Sequence, residues 1–338
     1  MSRVRDLLRG RGDQPGTGQD TPQDHQRGDQ QPAPEPSARA EREPGEPLRI
    51  AAITFCRDEG RMLPLWVRYY GGLFGDANIY VVDDNSEDGS TDDLPCDVLH
   101  VPPIRGGKFN STRMAMVGNL GRSLLTLYDV VLFCDTDEFI VPDPAKHADL
   151  KAYIEAKDGE GLDAVGSLGF NVVHAVDSEP PLDLTQPLLG QRRLAKFLPL
   201  MCKPAIKWVP AHWSAGTHGI RTPYAVDPDL WMFHMKFGDR DHLQEAADHR
   251  LRMVEADGRS RDTQWRQGGD ALVDLLVTAT TGVDPATVPE FVPPAGDQLA
   301  ALVVQDPPGN WRAPKGSQMK LMENRPLVRI PDRFLGSV

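Results

Sequence analysis

The sequence predicts an α/β fold, a mostly parallel sheet flanked by helices. Three observations carry this. Short apolar runs at residues 49–55 (RIAAITF), 79–82 and 129–134 (DVVLFC) alternate with segments of helical period at 59–73 and 109–127. The runs are apolar at nearly every position, as in strands covered on both faces. Two acidic stretches, 83–93 and 135–138, follow such runs directly, at the carboxyl ends where sheets of this kind bind ligands.

Taken in order, residues 49–55 form the first buried strand. The helix over 59–73 places Met62, Leu65, Trp66, Tyr69 and Leu73 on one face, with Asp58 as its cap and Pro64 early enough to be tolerated. Residues 79–82 are the second strand, and DDNSEDGSTDD after it is a loop or helix start. A third short strand covers 98–101. The helix over 109–127 turns Met114, Val117, Leu120, Leu124 and Leu127 inward, although Gly118 and Gly121 weaken it. Residues 129–134 are a strongly β-prone strand. Further on, strands are expected within 162–173, 205–209 and 230–235, and an amphipathic helix over 241–256. No internal repeat is present.

The domain plan has three parts. Residues 1–47 hold almost no apolar side chains beyond Val4, Leu7 and Leu8, so a disordered segment is expected. It has no apolar core of a secretory signal. Residues 48–282 form the folded domain, and 283–338 a Pro-rich irregular extension. The net charge of −12 argues against non-specific nucleic-acid binding. No apolar run approaches the roughly 18 to 20 residues that cross a bilayer. The four cysteines are scattered without a CxxC pair, and Cys56 and Cys134 fall in apolar runs, which fits buried thiols in a reduced, cytoplasmic chain. Peripheral association with a membrane stays open.

Chemistry concentrates at Asp135, Asp137 and Glu138. Three carboxylates wedged between VVLFC and Phe139-Ile140-Val141 need a partner, and a hard divalent cation, Mn²⁺ or Mg²⁺, is a natural one. Such an ion bridges carboxylates to substrate phosphates and offsets charge on a departing nucleoside diphosphate. His234 lies in WMFHMKF, with Lys236 on the same face by period 2. A neutral imidazole there completes a metal shell, and Lys236 reaches a phosphate oxygen. His218, between glycines, is a second candidate ligand and His212 a third. Lys203, Lys207, Arg105 and Lys108 offer further positive charge. A carboxylate that could serve as a general base stays open between Asp177 and Glu179 in one loop and Asp239 and Asp241 in another, with Asp241 also suited to capping a helix.

LYDVVLFCDTDEFIVP resembles the DxD segment of family-2-like glycosyltransferases. ITFCRDEGRMLPLWVRYYGGLFGDANIYVVDDNSEDGSTDDL resembles their opening segment, in the same order and spacing. HWSAGTHG and LWMFHMKFGD are similar to their histidine-containing tail. The resemblance covers about residues 49–255 and departs at Asp58, where the pattern has Asn. It implies a GT-A type, Rossmann-like domain that moves a sugar from a nucleotide-sugar donor to a glycan or other hydroxyl acceptor. Asp135 and Asp137 would hold metal and diphosphate. Asp83 or Asp84, with Ser86, would meet the base or ribose, and Thr54, Arg57 and Glu59 would line the same pocket. Two alternatives compete. A nucleotidyltransferase would carry a Gly-rich basic loop after the first strand, where this chain has CRDEGR. A non-catalytic nucleotide- or carbohydrate-binding protein would lack the paired aspartates.

Overall fold

In the computed structural model, residue 42 and residues 45–260 and 263–338 are described, all within one compact unit, Pro36–Val338. The expected disordered segment lies outside the described residues, except for residues 42 and 45–47.

β1 (Ile50–Cys56) is buried along its whole length, as its apolar run requires. α1 (Leu63–Phe74) leads to β2 (Ile79–Asp83) and β3 (Asp97–His100), and α2 (Phe109–Leu124) to β4 (Val130–Phe133). β1, β2 and β3 pair in parallel, one after another, and β4 joins the other side of β1, also parallel. Strand order therefore reverses between β1 and β4. Loops that diverge at such a point leave a crevice at the carboxyl ends of the strands. Residues 57–61 leave from one side of it and Asp135–Asp137 from the other.

Past β4 the sheet becomes mixed. β5 (Glu138–Pro142), α3 (Leu150–Asp158), β6 (Ala164–Val173), the single turn α4 (Leu188–Gln191), β7 (Leu194–Phe197), β8 (Ile206–Lys207), β9 (Gly219–Ile220) and β10 (Ala225–Phe237) follow. β10 runs antiparallel to β5 and parallel to β6, and its register sets His234 opposite both Glu138 and Asn171. That register brings the histidine strand to the DxD turn.

α1 and α2 differ from expectation in detail. Asp58 does not cap α1, whose first residue is Leu63 with Pro64 in the first turn, where no N–H is needed. Asp58 instead takes a left-handed conformation, φ 52°, which Asp and Asn tolerate best. Its carboxylate accepts from Glu87 N at 2.6 Å, and its own N–H donates to Ser86 Oγ at 3.0 Å. The residue thus ties the loop after β1 to the loop after β2. α2 ends at Leu124, so Leu127 lies outside it and is exposed. Gly118 and Gly121 are buried because the helix lies close to His212 and Trp213.

α5 (Arg240–Asp257), α6 (Gly269–Thr280), α7 (Asp297–Ala300), β11 (Val304–Gln305), β12 (Trp311–Arg312), α8 (Gln318–Asn324) and β13 (Val328–Arg329) complete the chain. Residues 283–338 are threaded through the fold. β13 pairs with β7 in the main sheet, and β12 bridges β9 and β11 in a small one. Phe291 and Phe334 pack their rings on Trp231. Among the described residues, no helix is long and apolar enough to cross a membrane.

Candidate active site

The crevice opens into a cavity of about 1160 Å³. Its floor is the turn Asp135–Glu138, between β4 and β5. The loop after β1, the start of α2, one face of α5, the end of β10 and residues 312–319 make its walls. Although the chain is acidic, arginine and lysine outnumber aspartate and glutamate in this lining.

Two of the floor carboxylates are paired with cations, and the third contacts a histidine. Arg113, from α2, and Lys203 pair with Asp135, and Lys203 also pairs with Glu138. Burial opposes ionisation of Asp135, but Arg113 and Lys203 outweigh it and hold the carboxyl low. Burial likewise opposes ionisation of Asp137. The His234 ring, with Arg250 and Lys203, holds that carboxyl well below the usual carboxylate range. Lys203 loses hydration, but the three carboxylates it faces more than compensate and keep it charged.

His234 Nε2 lies 3.1 Å from Asp137 Oδ2, and His234 Nδ1 lies 2.7 Å from Asn171 Oδ1. Asn171 is fully buried, so its carbonyl fixes the ring and gives Nδ1 the proton. One carboxylate oxygen and one imidazole nitrogen at this distance could both reach a single divalent ion. Two adjacent ligands on an octahedral centre, with bonds of about 2.0–2.1 Å, stand roughly 3 Å apart. The observed Asp137–His234 separation has that size. These two side chains alone make the pair, because Asp135 is taken up by Arg113 and Lys203. Among the described residues, no group of three His, Cys, Asp or Glu is arranged around one point for a metal. Waters and substrate phosphates commonly supply the remaining oxygens for Mg²⁺.

The other expected residues divide between the cavity and its surroundings. Arg57, Glu59, Lys203, His218, His234 and Lys236 line it. Burial pushes the Glu59 carboxyl up to about 7 against the pull of Arg250, 3.4 Å away. His218 Nδ1 donates to Leu200 O at 2.9 Å, which leaves Nε2 unprotonated. Burial, with Lys203 nearby, pushes the ring down to about 3. Lys236 is buried, and that burial, with Arg250 nearby, pushes its ammonium down to about 7.

Thr54, Asp83, Asp84, Ser86, Lys108, Asp177 and Asp239 are not brought to the cavity. Thr54 is fully buried in β1, and Lys108 is exposed ahead of α2. Asp83 accepts from Ser86 N and Oγ and contacts the His100 ring, so Asp83 and Ser86 are spent closing their own turn. Asp84 accepts from Ile104 N and pairs with buried Arg259 at 2.8 Å. Asp177 accepts from Gly282 N after α6. Asp239, not Asp241, caps α5 through His242 N, and its other oxygen accepts from Leu182 N. With Arg61 and Arg192 beside it, Asp239 is a buried structural anchor. His212 contacts Arg122 outside the cavity, and Lys207 is buried against Trp213.

Several site residues escaped sequence reasoning. Arg113 and Arg250 sit on helices whose basic residues look like ordinary solvated positions. Arg312 and Gln318 lie in a segment without period. Asn171 had a signal: a lone amide inside FNVV, in a strand otherwise apolar around it.

No protein-family model and no curated protein matches the chain. Among solved structures, it is similar to the mannosyltransferase PcManGT from Pyrobaculum calidifontis, solved with GDP-Man and Mn²⁺. The identity is 17%, covering 40% of this chain and 38% of that one, with a TM-score of 0.26. Glucosyl-3-phosphoglycerate synthase from Mycobacterium tuberculosis, solved with Mn²⁺, UDP and glucosyl-3-phosphoglycerate, gives 20% identity over 36% of this chain and 44% of that one, with a TM-score of 0.24. Mannose-1-phosphate geranyltransferase from Thermus thermophilus gives 11% identity over 86% and 75%, with a TM-score of 0.26. The chain spans about two fifths of the length of the first two. Likeness at these scores decides neither substrate nor metal.

Proposed function

We propose that this chain is a metal-dependent glycosyltransferase that moves a sugar from a nucleoside-diphosphate sugar to a hydroxyl acceptor. The observation that carries the reading is the Asp137–His234 pair, with its oriented ring, on the floor of a cation-lined cavity at the strand-order reversal. A divalent cation, Mn²⁺ or Mg²⁺, held by these two side chains would offset charge on the departing diphosphate. Arg113 and Lys203 keep Asp135 ionised beside that place and add positive charge along the donor's phosphates. Arg57 and the aromatic side of the cavity, Phe109 and Trp265, lie toward the β1 and β2 loops and suit the nucleoside.

Of the carboxylates considered for proton transfer, Asp177 and Asp239 are engaged outside the cavity. Glu59 lines it, is held by Arg250, and is tuned close to neutral pH. We assign it the acceptor's proton.

The test is a panel of nucleotide sugars incubated with the full chain and Mn²⁺, read as nucleoside diphosphate released. Turnover of one donor, lost in Asp137→Ala, supports the reading. Release of pyrophosphate from a nucleoside triphosphate and a sugar phosphate would move the chain to nucleotidyl transfer. No turnover, with no metal-dependent nucleotide binding, would end the enzyme reading.

A further inference from the structure

One side of the cavity joins Arg57, Asp58, Glu87 and Asp88 through contacts between the β1 and β2 loops; another joins the end of β10 to residues 312–319 through Lys236 and Gln318. The first side is where the nucleoside reading places the donor. The second holds two cations that the floor does not use.

Lys236 is only 7% exposed, yet it lines the cavity. Its ammonium has one described hydrogen bond, 3.4 Å long, to the neutral Gln318 Oε1, and no described carboxylate lies within 4 Å. An ammonium carries three donors, and a buried charge needs an anion. Arg312 stands in β12, registered against Gly219 and next to His218. Its Nε donates to Ala313 O at 3.1 Å, and it too has no described carboxylate within 4 Å. In a chain of net charge −12, carboxylates to neutralise these cations are plentiful, yet none of the described ones is placed there. Asp135 and Glu138 are paired with Arg113 and Lys203, and Asp137 contacts the His234 ring.

We propose that the acceptor is itself anionic, carrying a phosphate or carboxylate that Lys236 and Arg312 hold while its hydroxyl faces the donor sugar. The inference rests on the sugar-transfer reading of the cavity. The C-terminal segment then contributes to the acceptor site, since Arg312 and Gln318 both come from it.

The experiment titrates the full chain, first loaded with Mn²⁺ and UDP or GDP, with inorganic phosphate and separately with malonate. At least one anion binds the loaded protein, and Lys236→Met and Arg312→Met each weaken it by about tenfold or more, while nucleotide affinity stays within about threefold. Binding of phosphate alone assigns a phosphorylated acceptor, and binding of malonate alone a carboxylated one. Arg312→Met, at a partly exposed position, keeps the test open if Lys236→Met fails to fold, and Lys236→Arg retains anion binding. If neither anion binds the loaded protein, or if the variants lose nucleotide as much as anion, the proposal is overturned. In the second case the two cations serve the donor's diphosphate. If neither nucleotide binds with Mn²⁺, the sugar-transfer reading fails and takes this proposal with it.

Discussion

Replacing Asn171 with leucine keeps an apolar strand apolar and removes the acceptor that orients His234. The bond lost is 2.7 Å long and buried, and the same oxygen also accepts from Gln318 at 3.3 Å. Two consequences of similar size follow, and they separate by readout. An imidazole N–H left buried without a partner costs about 1–3 kcal/mol of folding stability. A metal ligand that loses the group orienting it loses about 10- to 100-fold in metal affinity, or roughly 1.4–2.8 kcal/mol. Urea denaturation of metal-free protein measures the first, and calorimetric titration with Mn²⁺ measures the second. Asn171→Leu should show both. A variant that is less stable but binds Mn²⁺ as the unmodified chain does would refute the claim that His234 is a ligand positioned by Asn171.

Three further outcomes are expected. Glu59→Gln lowers kcat by about 10²- to 10⁴-fold with nucleotide affinity retained; if nucleotide binding falls instead, Glu59 is a donor contact and not the base. Lys207 is fully buried, and burial, with Arg122 nearby, pushes its ammonium down to about 7 from an ordinary 10.5. The unfolded chain therefore binds the extra proton between those values, so this residue makes stability rise with pH from about 7 to 10.5. Lys207→Met should flatten that rise and stabilise the protein below pH 7 by a few kcal/mol, measured by urea denaturation across pH. Gly121→Ala gains about 1 kcal/mol of helix propensity, but its Cβ would lie 2.9 Å from the Trp213 ring and 3.3 Å from Lys207 Nζ. Overpacking of about 1–3 kcal/mol outweighs the gain, and calorimetry should show a lower Tm.

What the sequence disclosed followed physical locality. β1, β2 and β4 were legible because apolar runs of that length must be buried. Asp135 and Asp137 stood out because carboxylates between two buried segments need a partner, and in the structure Arg113, Lys203 and His234 are beside them. His234 and Lys236 were legible from a period-2 face, and the register of β10 on β5 then brought that face to the turn. In the acidic loop at 83–93, Glu87 and Asp88 reach the cavity but Asp83, Asp84 and Ser86 do not, since Asx and Ser side chains that close a turn look the same in sequence as ones that face a ligand. Asp239 was mistaken for a base candidate because only tertiary contacts with Leu182, Arg61 and Arg192 show it to be an anchor. Gly118 and Gly121 argued against α2 by propensity, but their reason is the close approach of His212 and Trp213. Arg113, Arg250 and Arg312 could not be singled out, because an arginine on a helix or in an aperiodic tail carries no sign of which way it points.

The central claim is that Asp137 and His234 together hold the divalent cation that a nucleotide donor needs. Electron paramagnetic resonance of free Mn²⁺, titrated against the full chain with and without UDP or GDP, tests it directly. One Mn²⁺ per chain is expected, bound more tightly with nucleotide, and lost in both Asp137→Ala and His234→Ala. Unchanged Mn²⁺ binding in these two variants, or none in the unmodified chain with either nucleotide, would contradict it.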